Sequence, residues 1–327
     1  MTKKIICITG ATGFIGKNLL NNIDKSKFKI RVVTRKKFVK FDEEIEVMYG
    51  DLSDINFPFT EFLKDVDCLI NCMGQIKDNA DLFKNNVNSV SLLITNLEKK
   101  IAKNNNIFHW VQISSSGVYG ANTMSYLNKF YVHEDSLCKP KTIYEKSKHQ
   151  ADLIIIKTSK KIKTFKYTIL RPTAVCDNEM PNRSLINLIS LIKKNIFFYI
   201  GKPQSIANYI HRDDFTDSIL LTISNAKSYN KTYIVSADCY WEDIVNQIIV
   251  NLKIKKNILR VPYWVGCIYI FFYRQILHKH ATLPNLENLM SRTRYSNSKI
   301  NEELGFKVKR NIPEFIQEFV NNLDNSK

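Results

Sequence analysis

The sequence predicts an α/β protein: a doubly wound parallel sheet followed by a smaller C-terminal lobe. Three observations predict it. Short β-branched runs alternate with polar stretches of helical period. The first run, Ile5–Ile8, enters a turn carrying Gly10, Gly13 and Gly16 and leaves as the helix-compatible Asn18-Leu19-Leu20-Asn21-Asn22-Ile23. At 327 residues, 44% of them hydrophobic, the chain can form one large α/β unit or two unequal lobes.

In a strand–turn–helix unit the first helical N–H groups and the positive end of the macrodipole face outward, so a diphosphate can settle there if no side chain intervenes. Gly10 allows the turn, Gly13 the close backbone approach and Gly16 the packing of helix on strand, with Thr12, Phe14 and Ile15 between them. Three of the chain's 10 glycines fall in this heptapeptide, which favours a phosphate loop over an ordinary turn.

Phe28–Val33 is the second strand. A dinucleotide-binding fold places the residue that meets the adenosine ribose at its end, and an acid there favours NAD. Here Thr34-Arg35-Lys36-Lys37 follows instead, which suits a 2′-phosphate and predicts NADP ahead of NAD, with Arg35 as the contact. A solvated basic turn is the competing reading. Glu46–Tyr49 is the third strand, and Asp51 and Leu52 after it are placed to flank an adenine ring. Val66–Gly74 contains the fourth, with Cys72 and Gly74 at its end, where bare backbone can approach a flat group. A helix is expected over about 80–103, its apolar positions Leu82, Phe83, Val87, Val90, Leu93, Ile94 and Leu97 at helical spacing.

The fifth strand, Phe108–Ile113, runs into Ser114-Ser115-Ser116-Gly117, whose hydroxyls at a strand's carboxyl end point into the ligand crevice. Tyr144-Glu145-Lys146-Ser147-Lys148 then opens a helix reaching Ile156. Tyr144 and Lys148, four apart, share one face, and an ammonium beside a phenol is expected to lower the phenol's pKa.

The formal charge of +17 raises the question of nucleic acid, but the lysine pairs are scattered near element ends with no basic block, so no nucleic-acid partner is expected. Seven cysteines without a CxxC pair suggest neither a disulfide framework nor a metal site, and point to a reducing, cytoplasmic setting. The charged N-terminus enters a strand at once, leaving no room for a signal peptide. The apolar segment 261–273 is shorter than the roughly 18–20 residues of a membrane span. It reads as a buried or surface-docking helix, with peripheral membrane contact beside Arg274 and Lys279 as the alternative.

Gly10–Gly16, Gly50-Asp51-Leu52, Asn86-Val87, Ser115 in its serine turn, Tyr144 with Lys148, Leu170-Arg171-Pro172, His211–Phe215 and Ser296–Phe306 together resemble the extended short-chain dehydrogenase/reductase superfamily. The likeness is to its nucleotide-sugar epimerase, dehydratase and reductase branch, over most of the chain. It implies a Rossmann-type NAD(P)-binding domain in residues 1–174 and a mainly substrate-binding lobe in 175–327, with returns to the first domain near 205–237. It implies Tyr144 as acid/base, Lys148 as its pKa partner and holder of the nicotinamide ribose, and Ser115, three before Val118, as donor to the substrate oxygen. Arg171 and Pro172 join the cofactor site. Ser116, Asn182 and Arg183 join the substrate site, with Arg183 either a phosphate contact or a plain surface arginine. His211 and Asp214 are expected to brace the chain's return.

Two departures bear on the reaction. Val175-Cys176-Asp177 replaces the family's usual Val-Tyr-Gly, and no Asp-Glu pair follows Ser115, which speaks against dehydration. The expectation is NAD(P)-dependent oxidoreduction at C4 of a nucleoside-diphosphate sugar, as a 4-keto reductase or 4-epimerase in surface polysaccharide precursor synthesis. NADP favours net reduction. The alternatives are a steroid- or flavonoid-type alcohol oxidoreductase, with 261–273 lining an apolar pocket, and a cofactor-binding scaffold or redox sensor, against which Ser115, Tyr144 and Lys148 speak. A homodimer through the helices 80–103 and 144–156 is implied by the family.

Overall fold

The β-branched runs pair side by side in the computed structural model, which describes residues 3–75, 82–101, 106–120, 128–181, 183–255, 258–266, 268 and 289–325. The first eight strands are β1 (Lys4–Thr9), β2 (Phe28–Thr34), β3 (Glu46–Tyr49), β4 (Cys68–Asn71), β5 (Phe108–Ile113), β6 (Phe130–Val132), β7 (Phe165–Pro172) and β8 (Ala174–Cys176). The first six helices are α1 (Phe14–Asn22), α2 (Phe59–Phe62), α3 (Ser89–Ile101), α4 (Ile143–Lys161), α5 (Ser184–Lys193) and α6 (Arg212–Ile223). The central sheet has seven strands, all parallel, in the order Lys231–Val235, β7, β5, β4, β1, β2, β3. The chain walks outward from β1 to β3, then crosses back to lay β4 on the other side of β1. That reversal opens a crevice at the carboxyl ends of β1 and β4, where ligands of such sheets bind.

Both faces of the sheet are buried, as parallel pairing requires. On one, α1, α6 and the helix Ser298–Leu304 bring Leu19, Phe215, Ile219 and Ile300 against Ile6, Ile8, Val32 and Leu170. On the other, α2, α3 and α4 set Phe62, Leu93, Leu97 and Ile155 against Cys7, Leu69, Trp110 and Phe165. Each such large apolar side chain contributes about 1.5–3 kcal/mol by leaving water. A third cluster is built from later elements: α5, Trp241–Asn251 and Ile312–Asn325 interlock through Leu188, Ile192, Ile244, Ile248, Phe315 and Ile316. Of the later strands, Lys231–Val235 joins the central sheet against β7, whereas Tyr209–His211 pairs with β8 in a separate two-stranded sheet.

The expected helix over 80–103 begins differently. A π-turn at Lys84–Asn88 precedes α3, and Phe83 is exposed. The wider turn aims Asn86 inward: its Nδ2 donates to Gln75 O at 3.1 Å and to Ser147 Oγ at 3.0 Å, while Gln75 N donates to its Oδ1 at 2.8 Å. Asn182 and most of 261–273 lie outside the described residues, as do 76–81 and 102–105. The six described cysteines are free thiols, and no described helix is long and apolar enough to cross a membrane.

Candidate active site

Gly10 ends β1 with φ of +67°, and a Cβ there would lie 2.8 Å from the Cys72 carbonyl. A Cβ on Gly16 would stand 2.2 Å from Gly10 O, so helix and strand touch only through glycine. Gly13 is exposed, occupies the N-cap of α1 without a side-chain cap, and no acid sits in the first helical turn. Open N–H groups, a bare approach and no competing negative charge fit a bound diphosphate. Thr12 and Ile15 flank the loop half-buried, and the Arg212 guanidinium lies 4.9 Å from the Phe14 ring centroid.

Along the crevice, Arg35 is exposed at the end of β2, its Nη1 3.6 Å from Asp51 Oδ2. The other oxygen, Asp51 Oδ1, accepts from Ser53 N at 2.9 Å and Ser53 Oγ at 2.8 Å, and Leu52 is buried in the core. Cys72 N donates to Thr9 O at 3.2 Å, tying β4 to β1. Beneath it a buried polar chain, Thr9 Oγ1 to Asn71 to Gln112, crosses β1, β4 and β5. The alternation of β-branched residues gave no sign of this chain.

A capping box fixes the start of α4: Thr142 Oγ1 accepts from Glu145 N at 3.2 Å, and Glu145 Oε2 accepts from Thr142 N at 3.0 Å. Tyr144, Lys148 and Asp152 then follow at four-residue steps on one helix face. Lys148 is buried, and its Nζ donates to Ile113 O at 2.9 Å and Met73 O at 3.2 Å. A Cβ at Gly74 would meet that Nζ at 2.8 Å, so this glycine makes room for the lysine. Burial lowers the Lys148 pKa to about 8, with Asp152 and Cys72 acting to raise it.

Ser115 caps a short 3₁₀ turn, its Oγ accepting from Gly117 N at 3.1 Å, which leaves its own proton to be donated. The phenol of Tyr144 is hydrogen-bonded by Ser115, which favours the anion, but burial dominates and pushes its pKa up to about 12. The expected lowering by Lys148 is therefore corrected. The ammonium is anchored on two backbone carbonyls, and the other charges acting on the phenol are Glu145 and Asp152, both of which raise it.

The remaining candidates divide. Ser116 is buried beside Tyr295. Pro172 ends β7 in the interior. Arg171 points into the fold: its Nε and Nη2 donate to Asp152 Oδ2 at 3.3 and 3.1 Å, and its guanidinium lies 4.9 Å from the Tyr119 ring centroid. Arg183 is exposed just before α5. His211 Nδ1 accepts from Asp213 N at 3.2 Å, capping α6, and Asp214 Oδ2 accepts from Arg310 N at 3.0 Å, tying α6 to the segment before the last helix. Asp152 escaped the sequence reading, although a carboxylate four residues after Lys148 was the available signal, and Ser114, expected to face the crevice, turns its hydroxyl to Asp152.

The model of the NAD dependent epimerase/dehydratase family matches residues 6–236. The chain is 25% identical over 275 residues to a UDP-glucose 4-epimerase of Vibrio cholerae, covering 80% of each. It is 25% identical over 231 residues to a decarboxylating sterol-4-alpha-carboxylate 3-dehydrogenase of Dictyostelium discoideum, covering 67% of each. Its fold is similar to that of a UDP-glucuronic acid 4-epimerase from Bacillus cereus in complex with NAD, with a TM-score of 0.72, 16% identity, and 98% of this chain and 99% of that one covered.

Proposed function

The chain belongs to the NAD dependent epimerase/dehydratase family, and from that premise we propose that it carries out oxidoreduction at C4 of a nucleoside-diphosphate sugar. The observation that carries the proposal is the convergence of Ser115, Tyr144 and Lys148 beside the glycine loop at the sheet's switch point. The loop Gly10–Gly16 would hold the cofactor diphosphate, Arg35 a 2′-phosphate and Lys148 the nicotinamide ribose. A bound nicotinamide supplies hydride acceptance and donation at C4. Tyr144 exchanges the proton on the C4 oxygen, and Ser115 donates its hydroxyl proton to the same oxygen. A pKa as high as about 12 keeps the phenol protonated at neutral pH, which suits it to give a proton to a developing alkoxide.

NADP is the proposed cofactor form, because Thr34 to Lys37 present no acid and Asp51 is already engaged by Ser53 and Arg35. Arg35→Ala is expected to weaken NADP binding about tenfold or more while leaving NAD binding unchanged, as measured by fluorescence titration. Equal losses for both cofactors would refute the 2′-phosphate contact.

Two incubations test the reaction: UDP- or dTDP-4-keto-sugars with NADPH, and UDP- or dTDP-hexoses with NAD or NADP. Stoichiometric NADPH consumption marks a reductase, sugar interconversion without net consumption marks an epimerase, and neither outcome with any such sugar overturns the proposal. A second reading, oxidoreduction of an apolar alcohol or ketone, has the Dictyostelium relative in its favour and is tested with sterol substrates in the same assay. The setting belongs to the same proposal: a cytoplasmic enzyme supplying surface polysaccharide precursors, in keeping with its free thiols. So does a peripheral contact of 261–273 with a membrane surface, supported by the exposure of Tyr263, Trp264 and Ile268.

A further inference from the structure

The inward face of α4 carries a third ionisable group that the reaction above does not use. Asp152 stands one turn beyond Lys148 and two beyond Tyr144, and is fully buried. Its Oδ2 accepts from Ser114 Oγ at 2.8 Å and from Arg171, while its Oδ1 meets no donor among the described residues. The Lys148 ammonium is buried as well, and the two groups to which it donates, Met73 O and Ile113 O, are neutral. Carbonyl dipoles orient an ammonium, but they do not cancel its charge, and a buried uncompensated charge is costly. The carboxylate one helical turn away, which Arg171 also pairs at 3.1 Å, supplies the opposite sign. Ser114 directly precedes Ser115, so its bond to Asp152 also ties the serine turn to the helix that carries Tyr144.

We propose that Asp152 is a positioning residue, whose carboxylate is the counter-charge that lets the Lys148 ammonium remain in the crevice and whose bond to Ser114 holds Ser115 against Tyr144. Acting on Lys148 are Asp152 from its own helix and Cys72 from the loop after β4. Facing Asp152 are Arg171 and Tyr167 from β7, Ser114 from the turn after β5, and Tyr144, Lys148 and His149 from α4. Burial pushes the Asp152 carboxyl up, and Arg171, Ser114 and Lys148 draw it back towards the charged form.

The assignment of a role to Lys148 rests on the proposed function, but its titration can be followed in the protein alone. Lysine side chains labelled with 13C at Cε report it by NMR, the Lys148 signal being identified by its loss in Lys148→Met. The midpoint in the unaltered chain is expected near 8. Asp152→Asn, nearly isosteric but neutral, should lower that midpoint by roughly one pH unit, and Asp152→Glu, which keeps the charge, should restore most of it. An unmoved midpoint in folded Asp152→Asn overturns the proposal. Should Asp152→Asn fail to fold, the coupling is read from its other end, because it is reciprocal. The 13Cγ titration of Asp152 should then move to higher pH in Lys148→Met, and no movement overturns the proposal. Absence of turnover with every nicotinamide substrate would defeat the proposed function and leave these midpoints as they are.

Discussion

A phenol held near pKa 12 and an ammonium near 8 stand one turn apart on α4, so of these two the lysine titrates closer to neutrality. Lysine lowered by burial loses its charge as the pH rises through its folded value, so activity that needs the ammonium should decline above about 8. A pH–rate profile checks this. Tyr144→Phe should retain cofactor binding and lose about 10²–10⁴-fold in kcat, the usual worth of a positioned proton donor. Full activity in that variant would remove the phenol from the chemistry. Ser115, Tyr144 and Lys148 were legible because their spacing and order along the chain constitute the signal. Asp152 was not, because a carboxylate four residues from a lysine reads as a solvated helix pair until burial shows otherwise. The effect of Lys148 on Tyr144 was misjudged for a related reason: shared helix face was visible, whereas the pull of Ile113 O and Met73 O on the ammonium was not.

At the scale of elements, the start of α4 is where local sequence does most for the site. Thr142→Ala removes the side-chain half of the capping box and should cost about 1 kcal/mol, read as a lower urea midpoint with unchanged slope. Gly16→Ala should destabilise far more, because backbone at 2.2 Å cannot give way as a side chain could, and thermal unfolding checks it. The strands Phe28–Val33, Glu46–Tyr49 and Phe108–Ile113 were read nearly residue for residue, since each is a short run of apolar, β-branched or aromatic residues. The opening of α3 was not. Its π-turn accompanies the bonds of Asn86 to Gln75, in the loop after β4, and to Ser147, a contact that exists only once α4 is in place.

For the whole molecule, a net charge of +17 and the exposed Tyr263, Trp264 and Ile268 predict binding to anionic vesicles. Co-sedimentation with phosphatidylglycerol-containing vesicles should fall with added salt and with Trp264→Ala, and equal recovery on neutral phosphatidylcholine would contradict it. The return of Lys231–Val235 to β7 bears on synthesis. Until the ribosome has released residue 235, β7 remains an unpaired edge, and the sheet face that Phe215, Ile219 and Ile300 later cover lies open. Completion of the central sheet is thus postponed to the last third of translation, and a nascent chain stalled before that point should be a target for chaperones.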